Sequence, residues 1–585
     1  MRIPIAAVEK FFHGAKNPND KPNVSYTQPT TLPSARIPSS ILRQPLAEPQ
    51  FQKPMKPRRI FSAARLSLPF ASALVALFSA HSAQGQTTRY WDGNDGAANF
   101  GSASGTWAAP TTGTATAGWS SSSAGTTVVL ANSVTTLIND PLNFGTDTTS
   151  RGLGTGTITV SGTVNAASLR FGSQTTGNIT LSGGTINLAA VTTIHIGAGS
   201  TTVHTISSAI TGAGTSLTKT GNSLTLSGAN TYVGSTIISS GTLTLGTTGA
   251  LGTTPGVSGT SGVTIGGAAA ATLSSATTGI TIAAPITSAN TGINSTISFG
   301  RSTAAAGSLT LNGAIGGNGN VVFTTPNNNS GGNLQTVNLG ATATYAGNTT
   351  ITTGNANNAT SVRNLSGAAN VLPITTVLTM AGGAGAGTGR AVTFDLGGQN
   401  QELAGLTNTS PVPSLRNHRV TSGAAATLTI NNATDFSYGG VASDGTTAQI
   451  TGAIALTKKG AGKFTLAAGA GNAFTGATTI LGGILNLGHP TSIQSSPFDT
   501  TANIAGDATN GLQTALTTLT LGGLSGSNSF ASRFTTTAGG YTGLTALTLN
   551  PAFGVTQTYA ADIGDGAGGM NLMPLPPKLW VESGA

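Results

Sequence analysis

The sequence predicts an all-β fold in which many short strands stack into a solenoid, and three observations carry that expectation. One phrase recurs along the chain as Ile158-Thr159-Val160-Ser161-Gly162, Ile179-Thr180-Leu181-Ser182-Gly183, Leu224-Thr225-Leu226-Ser227-Gly228, Leu309-Thr310-Leu311-Asn312-Gly313 and Leu519-Thr520-Leu521-Gly522-Gly523. Each copy places aliphatic residues on one face of a strand and threonine on the other, then ends on residues that accept turn dihedrals. No helical period is sustained over a long window, and the 83 glycines weaken most candidate helices. A single strand pair of this kind cannot bury its apolar face, so neighbouring copies must stack to make a core.

Composition sets further bounds. Charged residues are only 7% and aromatics 5% of the 585 residues, yet Val, Ile and Leu recur at alternate positions, which separates this chain from a disordered one. The net charge of +9 invites a nucleic-acid reading, but residues 1–86 hold eleven Lys/Arg against three Asp/Glu. The rest therefore has 14 basic and 13 acidic residues, too balanced to form a phosphate-gripping stripe. No nucleic-acid partner is expected.

The charge asymmetry belongs to a leader. Lys56, Arg58, Arg59 and Arg65 form a positive segment, Leu66 to Ala80 an apolar run, and Ala83-Gln84-Gly85 a small-residue cleavage site. Residues 55–85 therefore read as a Sec-type signal peptide; the apolar run is too short to span a membrane comfortably, and no transmembrane domain is expected after cleavage. Residues 1–54, rich in Pro, Lys and Asn, read as a disordered extension or a start-site artefact. Export without any cysteine means that something other than disulfides must hold the mature chain together.

Residues 86–139 contain Trp91, Trp107 and Trp119, three of the four tryptophans, and are expected to form an N-terminal cap over an open hydrophobic stack. A carbohydrate-stacking platform is the alternative use of such aromatics. Residues 140–572 are the expected solenoid. Within the stretch from Val233 to Leu245, Val233, Ile237, Leu243 and Leu245 are expected to point inward, with Thr236, Thr242 and Thr244 outward. A longer period links Tyr232-Val233-Gly234, Tyr345-Ala346-Gly347 and Phe474-Thr475-Gly476.

Residues 217–246, LTKTGNSLTLSGANTYVGSTIISSGTLTLG, and 456–488, LTKKGAGKFTLAAGAGNAFTGATTILGGILNLG, resemble the autotransporter-associated β-strand repeat. Leu217, Lys219, Gly221, Asn230, Tyr232, Gly234 and Gly241 carry the resemblance in the first copy; Leu456, Lys458, Gly460, Asn472, Phe474, Gly476 and Gly483 carry it in the second. A worn copy occupies 345–354, and residues 392–406 resemble the segment that separates such repeats. The resemblance implies a right-handed parallel β-helix with irregular loops, the passenger of an exported bacterial protein, secreted or on the cell surface and outer membrane. Such passengers often precede a C-terminal translocator β-barrel. Here Pro574, Pro576 and Pro577 argue against a central strand, so residues 573–585 are expected to form an irregular, truncated tail without that barrel.

Catalytic signatures are missing from the sequence: there is no GxSxG, HExxH, GxxxxGK[ST] or cysteine nucleophile. His195 and His204 fall in Thr/Ile-rich strands, His418 in an Arg-flanked loop, and His489 before Pro490; none has a partner at ligand spacing. Asp92/Asp95 and Asp562/Asp565 are short acidic pairs that could hold calcium, although turn chemistry accounts for Asp beside Gly more simply. No catalytic, cofactor or metal residue is therefore assigned. The expectation is a non-catalytic structural or surface-display protein used in adhesion to polysaccharide or cell-surface components. A β-helix carbohydrate-active enzyme, lyase or hydrolase, is the alternative and needs acids and bases clustered on one face. Ice or crystal-surface binding would need flat T-x-T ladders in register, and the unequal spacing of the strands argues against it.

Overall fold

In the computed structural model the described residues are 86–94, 99–108, 118–125, 136–147, 151–173, 177–197, 203–267, 269–289, 294–299, 307–325, 334–353, 359–382, 390–409, 416–439, 449–467, 472–537, 540–564 and 571–574. The leader, Asp95, Asp565 and the tail from residue 575 lie outside them.

Within the unit Ala83–Ala585 the described chain is a parallel β-solenoid. Among the described residues there is no α-helix, only two short 3-10 turns at Ala531–Arg533 and Tyr541–Gly543. Successive coils lay their strands side by side in sheets of ten, twelve and fourteen strands, with smaller sheets of three and four. The recurrent phrase behaves as its alternation predicts: Ile158, Val160, Leu181, Leu226, Leu311 and Leu521 are buried, while the threonines between them face outward. Each aliphatic residue stacks on its counterpart one coil away, as Leu243 does on Leu273 and Leu273 on Ile297. Burying one such side chain contributes about 1.5–3 kcal/mol, and the columns repeat along the stack.

Register survives large differences in coil length. Thr225 pairs with Thr244, and Thr244 pairs with Ser274 across a connection half as long again. The extra residues leave through loops, because each inserted residue within a strand would turn the aliphatic set outward. Among the described residues, register shifts occur only in the fourteen-stranded sheet, between Ser422 and Ala426 and between Ile493 and Pro497.

One inward-outward assignment differs from the sequence expectation. In the strand Thr236–Ile238 it is Thr236 and Ile238 that are buried, with Ile237 half-buried, so the phase before Gly241 is reversed. A hydroxyl network described below satisfies Thr236 inside the core. The phase after Gly241 is as expected, with Leu243 and Leu245 buried.

The first coils carry the three tryptophans inward. Arg89–Asp92 pairs in parallel with Pro141–Phe144, and Gly105–Ala108 pairs in parallel with Gly156–Ser161, so residues before 140 already supply solenoid strands. Gly118–Ser120 crosses the outer edge of Arg89–Asp92 in the antiparallel sense, with Trp91 opposite Trp119. Trp119 packs edge-on against Trp91, Trp107 and Phe144 at ring distances of 5.2, 5.3 and 5.7 Å. All three tryptophans are buried, leaving no indole face for a sugar ring. Asp140 locks this end: its buried carboxylate accepts from Arg89 Nε at 2.9 Å, Leu137 N at 3.0 Å and Thr87 N at 3.2 Å.

At the other end Asn571–Pro574 pairs in parallel with Ala546–Leu549, placing Pro574 opposite Leu549. The strand thus runs two residues beyond Leu572, where an irregular tail was expected. It is the outermost strand of its sheet among the described residues, a position that tolerates proline's missing N–H.

Candidate functional site

The polar residues of the two repeat copies are consumed by the fold. Lys219, on the strand Ser216–Gly221, is fully buried, and its ammonium donates to the carbonyls of Gly221 at 2.7 Å, Ser240 at 2.8 Å and Asn222. Lys458, equally buried, donates to the carbonyls of Lys459 and Gly460, both at 2.8 Å, and of Gly482 at 3.1 Å. In each case one of the three acceptors, Ser240 or Gly482, belongs to the next coil, so one ammonium ties two coils at a corner. Three donors meeting three carbonyls leaves no N–H unused. Burial pushes the ammonium of Lys219 down to about 7 and that of Lys458 to about 8. The glycine that follows the tie is required: Gly241 and Gly483 both have φ of +64°, and a Cβ there would lie 2.0 and 2.3 Å from the carbonyl oxygens of Gly221 and Gly460.

The repeat asparagines make a second tie. Asn230 Oδ1 accepts from Ile210 N at 2.8 Å, and its Nδ2 donates to Ala250 O at 2.6 Å. Asn472 does the same with Ile450 N at 2.8 Å and Ser492 O at 3.1 Å. Each side chain therefore bridges the coil before to the coil after. Asn230→Ala is expected to lower unfolding stability by about 2–4 kcal/mol, because a buried N–H and a buried C=O lose their partners together. Urea denaturation of the variant beside the parent checks this.

The aromatic position opens a third network. Tyr232 Oη lies 2.9 Å from Thr236 Oγ1, which donates to Thr260 Oγ1 at 2.9 Å, and Thr260 in turn reaches the carbonyl of Gly234 at 2.9 Å. Tyr345, Thr349 and Thr376 repeat the arrangement, ending on Gly347 O at 3.1 Å. In the copy with Phe474 the phenol is absent, and Thr478 and Ser496 keep the shortened network to Gly476 O at 2.7 Å. Thr260, Thr376 and Ser496 are not legible in the sequence because they come from the following coil, across connections of unequal length.

The four histidines among the described residues do not converge. His204 is buried and stacks on Phe171 at 4.8 Å, extending the aromatic column that runs back through Phe144 to the tryptophans. Its Nδ1 accepts from Ile179 N at 3.3 Å, and burial holds the ring down to about 4. The folded chain therefore binds fewer protons than the unfolded chain between about pH 4 and 6.5, and stability contributed by this site falls as pH drops through that window. His204→Phe should flatten the acid limb of a stability–pH profile. His195 faces outward with Nδ1 2.9 Å from Thr220 Oγ1; burial, Arg170 and Lys219 lower its basicity. His418 is a buried residue of the strand Arg416–Asn431, not the loop residue expected, because the chain after residue 415 pairs at once with Arg390–Asp395. His489 closes a turn with Nδ1 2.8 Å from Thr491 Oγ1.

Asp92 is buried at the first strand and accepts from Asn94 N at 3.0 Å, as an acid in a turn does. Asp562 stands in a segment whose carbonyl accepts from Tyr559 Oη at 2.8 Å. No group of three or more His, Asp or Glu side chains suited to a metal occurs among the described residues. Three acids of the later coils are matched with bases: Asp395 with Arg363 at 3.3 Å, Glu402 with Lys459 at 3.8 Å and Asp435 with Lys463 at 3.9 Å. Asp507 is held near 2 by hydrogen bonds from Asn510 and Thr509 in an exposed turn. A crevice beside Leu251, Pro255, Thr260 and Ile282 has room for about one water molecule.

Charge is distributed unevenly between the sheets. Arg363, Asp395, Arg419, Lys458 and Lys459 lie on strands of the fourteen-stranded sheet, and Arg89, Asp92, Arg170 and Lys219 on the ten-stranded sheet. The twelve-stranded sheet has no Asp, Glu, Lys or Arg in any strand. Its outward positions form two columns rich in hydroxyls. One runs Thr180, Thr205, Thr225 and Thr244, is interrupted over two coils by Ser274, which is covered, and Ser298, and resumes at Thr324 and Thr352. Beside it run Thr242, Thr272 and Thr296, then Val322, Thr350, Thr379 and Thr407.

Residues 217–245 and 456–487 match the passenger-associated-transport-repeat family. No curated protein and no solved structure matches the chain. The matched segments contain both lysine ties whole, with donors and acceptors; they contain Asn230 and Asn472, whose partners Ile210, Ala250, Ile450 and Ser492 lie just beyond them, and the Tyr345 network lies outside them with the same hydroxyl geometry.

Proposed function

We propose that this chain is an exported, non-catalytic surface-display protein, a passenger-like β-solenoid that presents its faces and loops to polysaccharide or to other cells. One observation supports the reading above others: the residues that define the repeat, Lys219, Asn230 and Tyr232 and their counterparts Lys458, Asn472 and Phe474, are buried, and the lysines and asparagines are spent on joining one coil to the next. The repeat is thus a means of building length, and length serves presentation. Parallel coils hydrogen-bonded along the axis supply a stiff support. Export through a Sec-type leader places the protein outside the cell or on its surface, where a cysteine-free fold tied by lysine and asparagine does not depend on redox conditions.

The test uses the full chain secreted from a bacterial host. Cells or beads displaying it should be retained on surfaces coated with neutral or acidic polysaccharide, and the polysaccharide should be released intact. Release of reducing ends or of unsaturated sugars would instead make it a polysaccharide hydrolase or lyase. Absence of retention on every coating and on every cell type tried would remove the adhesion role.

A further inference from the structure

We propose that the charge-free twelve-stranded sheet is an ice-binding face. The inference stands apart from the adhesion reading and rests on the outward side of that sheet alone. Unequal strand spacing in the sequence argues against any regular threonine array, yet the structure keeps the register: coils of unequal length return their outward residues to the same two columns, with a threonine in at least one column on every strand from Gly241–Leu245 to Val377–Ala381. On Thr242-x-Thr244 and Thr350-x-Thr352 the paired outward residues stand two apart on one strand, and the strands between them, with Thr272, Thr296 and Thr324, hold the same register.

Strand geometry fixes the mesh of this array. Neighbouring hydroxyls repeat about 4.8 Å along the solenoid and about 6.8 Å along each strand. Those spacings are of the order of the oxygen repeats in hexagonal ice. The position of the columns is fixed from behind by buried Leu273, Ile297, Phe323, Ile351 and Met380, so the hydroxyls do not rearrange independently.

Chemistry favours ordered water over a soluble ligand. Each threonine offers one methyl and one hydroxyl, and Val322 keeps the methyl where it interrupts a column. A charged side chain would hold its own hydration shell against the lattice, and none is present on these strands. A glycan-stacking platform on this face would ordinarily need an exposed aromatic ring, whereas Trp107 and Phe323, the tryptophan and phenylalanine of this sheet whose burial is described, point into the core. Single hydroxyl contacts are weak, but an in-register array adds them on a surface that repeats at the same interval.

The experiment is ice-growth inhibition by the full chain, read as the gap between melting and growth temperatures and as crystal shaping. The parent should shape ice and slow recrystallisation at micromolar concentration. Thr296→Lys with Thr350→Lys should raise the concentration needed at least tenfold, while Thr287→Lys, an exposed position on the ten-stranded sheet, should leave it unchanged. Circular dichroism of each variant shows whether the fold is kept, and Thr350→Val, which preserves shape and removes one hydroxyl, gives a milder loss if a lysine variant misfolds. A parent without any effect on ice overturns the proposal, as does an effect that survives in the folded double variant. Binding to crystalline cellulose that depends on Thr296 and Thr350, with no effect on ice, also overturns it and assigns the face to a polysaccharide.

Discussion

Replacing Lys458 with methionine is expected to lower unfolding stability by about 3–5 kcal/mol, and Lys219→Met by a similar amount. Methionine fills much of the same volume but donates nothing, so three carbonyls at a coil corner lose their partner at once. Each unsatisfied group costs about 1–3 kcal/mol when water cannot reach it. The loss should be local to the coils concerned, since solenoid stability is close to a sum of coil and interface contributions. Hydrogen exchange should therefore quicken around residues 456–487 in Lys458→Met and around 217–246 in Lys219→Met. The pH dependence has a definite sign. Both ammonium groups titrate lower in the folded chain, near 8 and 7, than the ordinary 10.5 of an unfolded lysine. Between those values and 10.5 the folded chain binds fewer protons, so the contribution to stability rises with pH towards 10.5, from about pH 7 for Lys219 and from about pH 8 for Lys458. The methionine variants should lack that rise.

Trp119→Ala is expected to cost about 3–5 kcal/mol, the range for truncating a buried aromatic. The residue sits on the outer antiparallel strand and is the shared partner of Trp91, Trp107 and Phe144. Its removal opens the end of the stack where no further coil covers the rings among the described residues. Proteolysis should then cut within residues 86–125 before any site in the coils beyond Pro141, while the parent is cut there slowly. Equal cutting in parent and variant would mean that the aromatic cluster does not close this end.

Sequence and structure agree where the cause is local. Alternation in Ile158-Thr159-Val160 and its copies dictates which face is buried, because a strand has only two faces. Lys219, Asn230 and Tyr232 are visible as recurring residues, yet what they do is not. The partners Ser240 and Ala250, and Thr260 at the far end of the tyrosine network, meet them only after the chain has travelled to another coil. Simple alternation from Val233 places Thr236 outward, and it turns inward because Tyr232 and Thr260 satisfy its hydroxyl. The same limit hides the threonine columns: unequal coil lengths look irregular along the sequence, whereas the hydrogen-bond ladder selects only the strand residues and leaves the variation to loops. His418 shows the reverse error, since neighbouring arginines suggest a loop and strand pairing with Val392 buries it.

The central claim is that coils of unequal length return to one register at a fixed pitch. The chain has no cysteine, so pairs of spin labels can be introduced at outward threonines without interference. Dipolar distances measure the pitch directly. Labels at Thr225 and Thr324 are separated by four coils and should lie about 19 Å apart between backbones, and those at Thr180 and Thr352, seven coils apart, about 34 Å. Narrow distributions that step with the number of coils and ignore the number of intervening residues are the predicted result. Distances that follow sequence separation, or broad distributions at both pairs, would contradict the in-register solenoid.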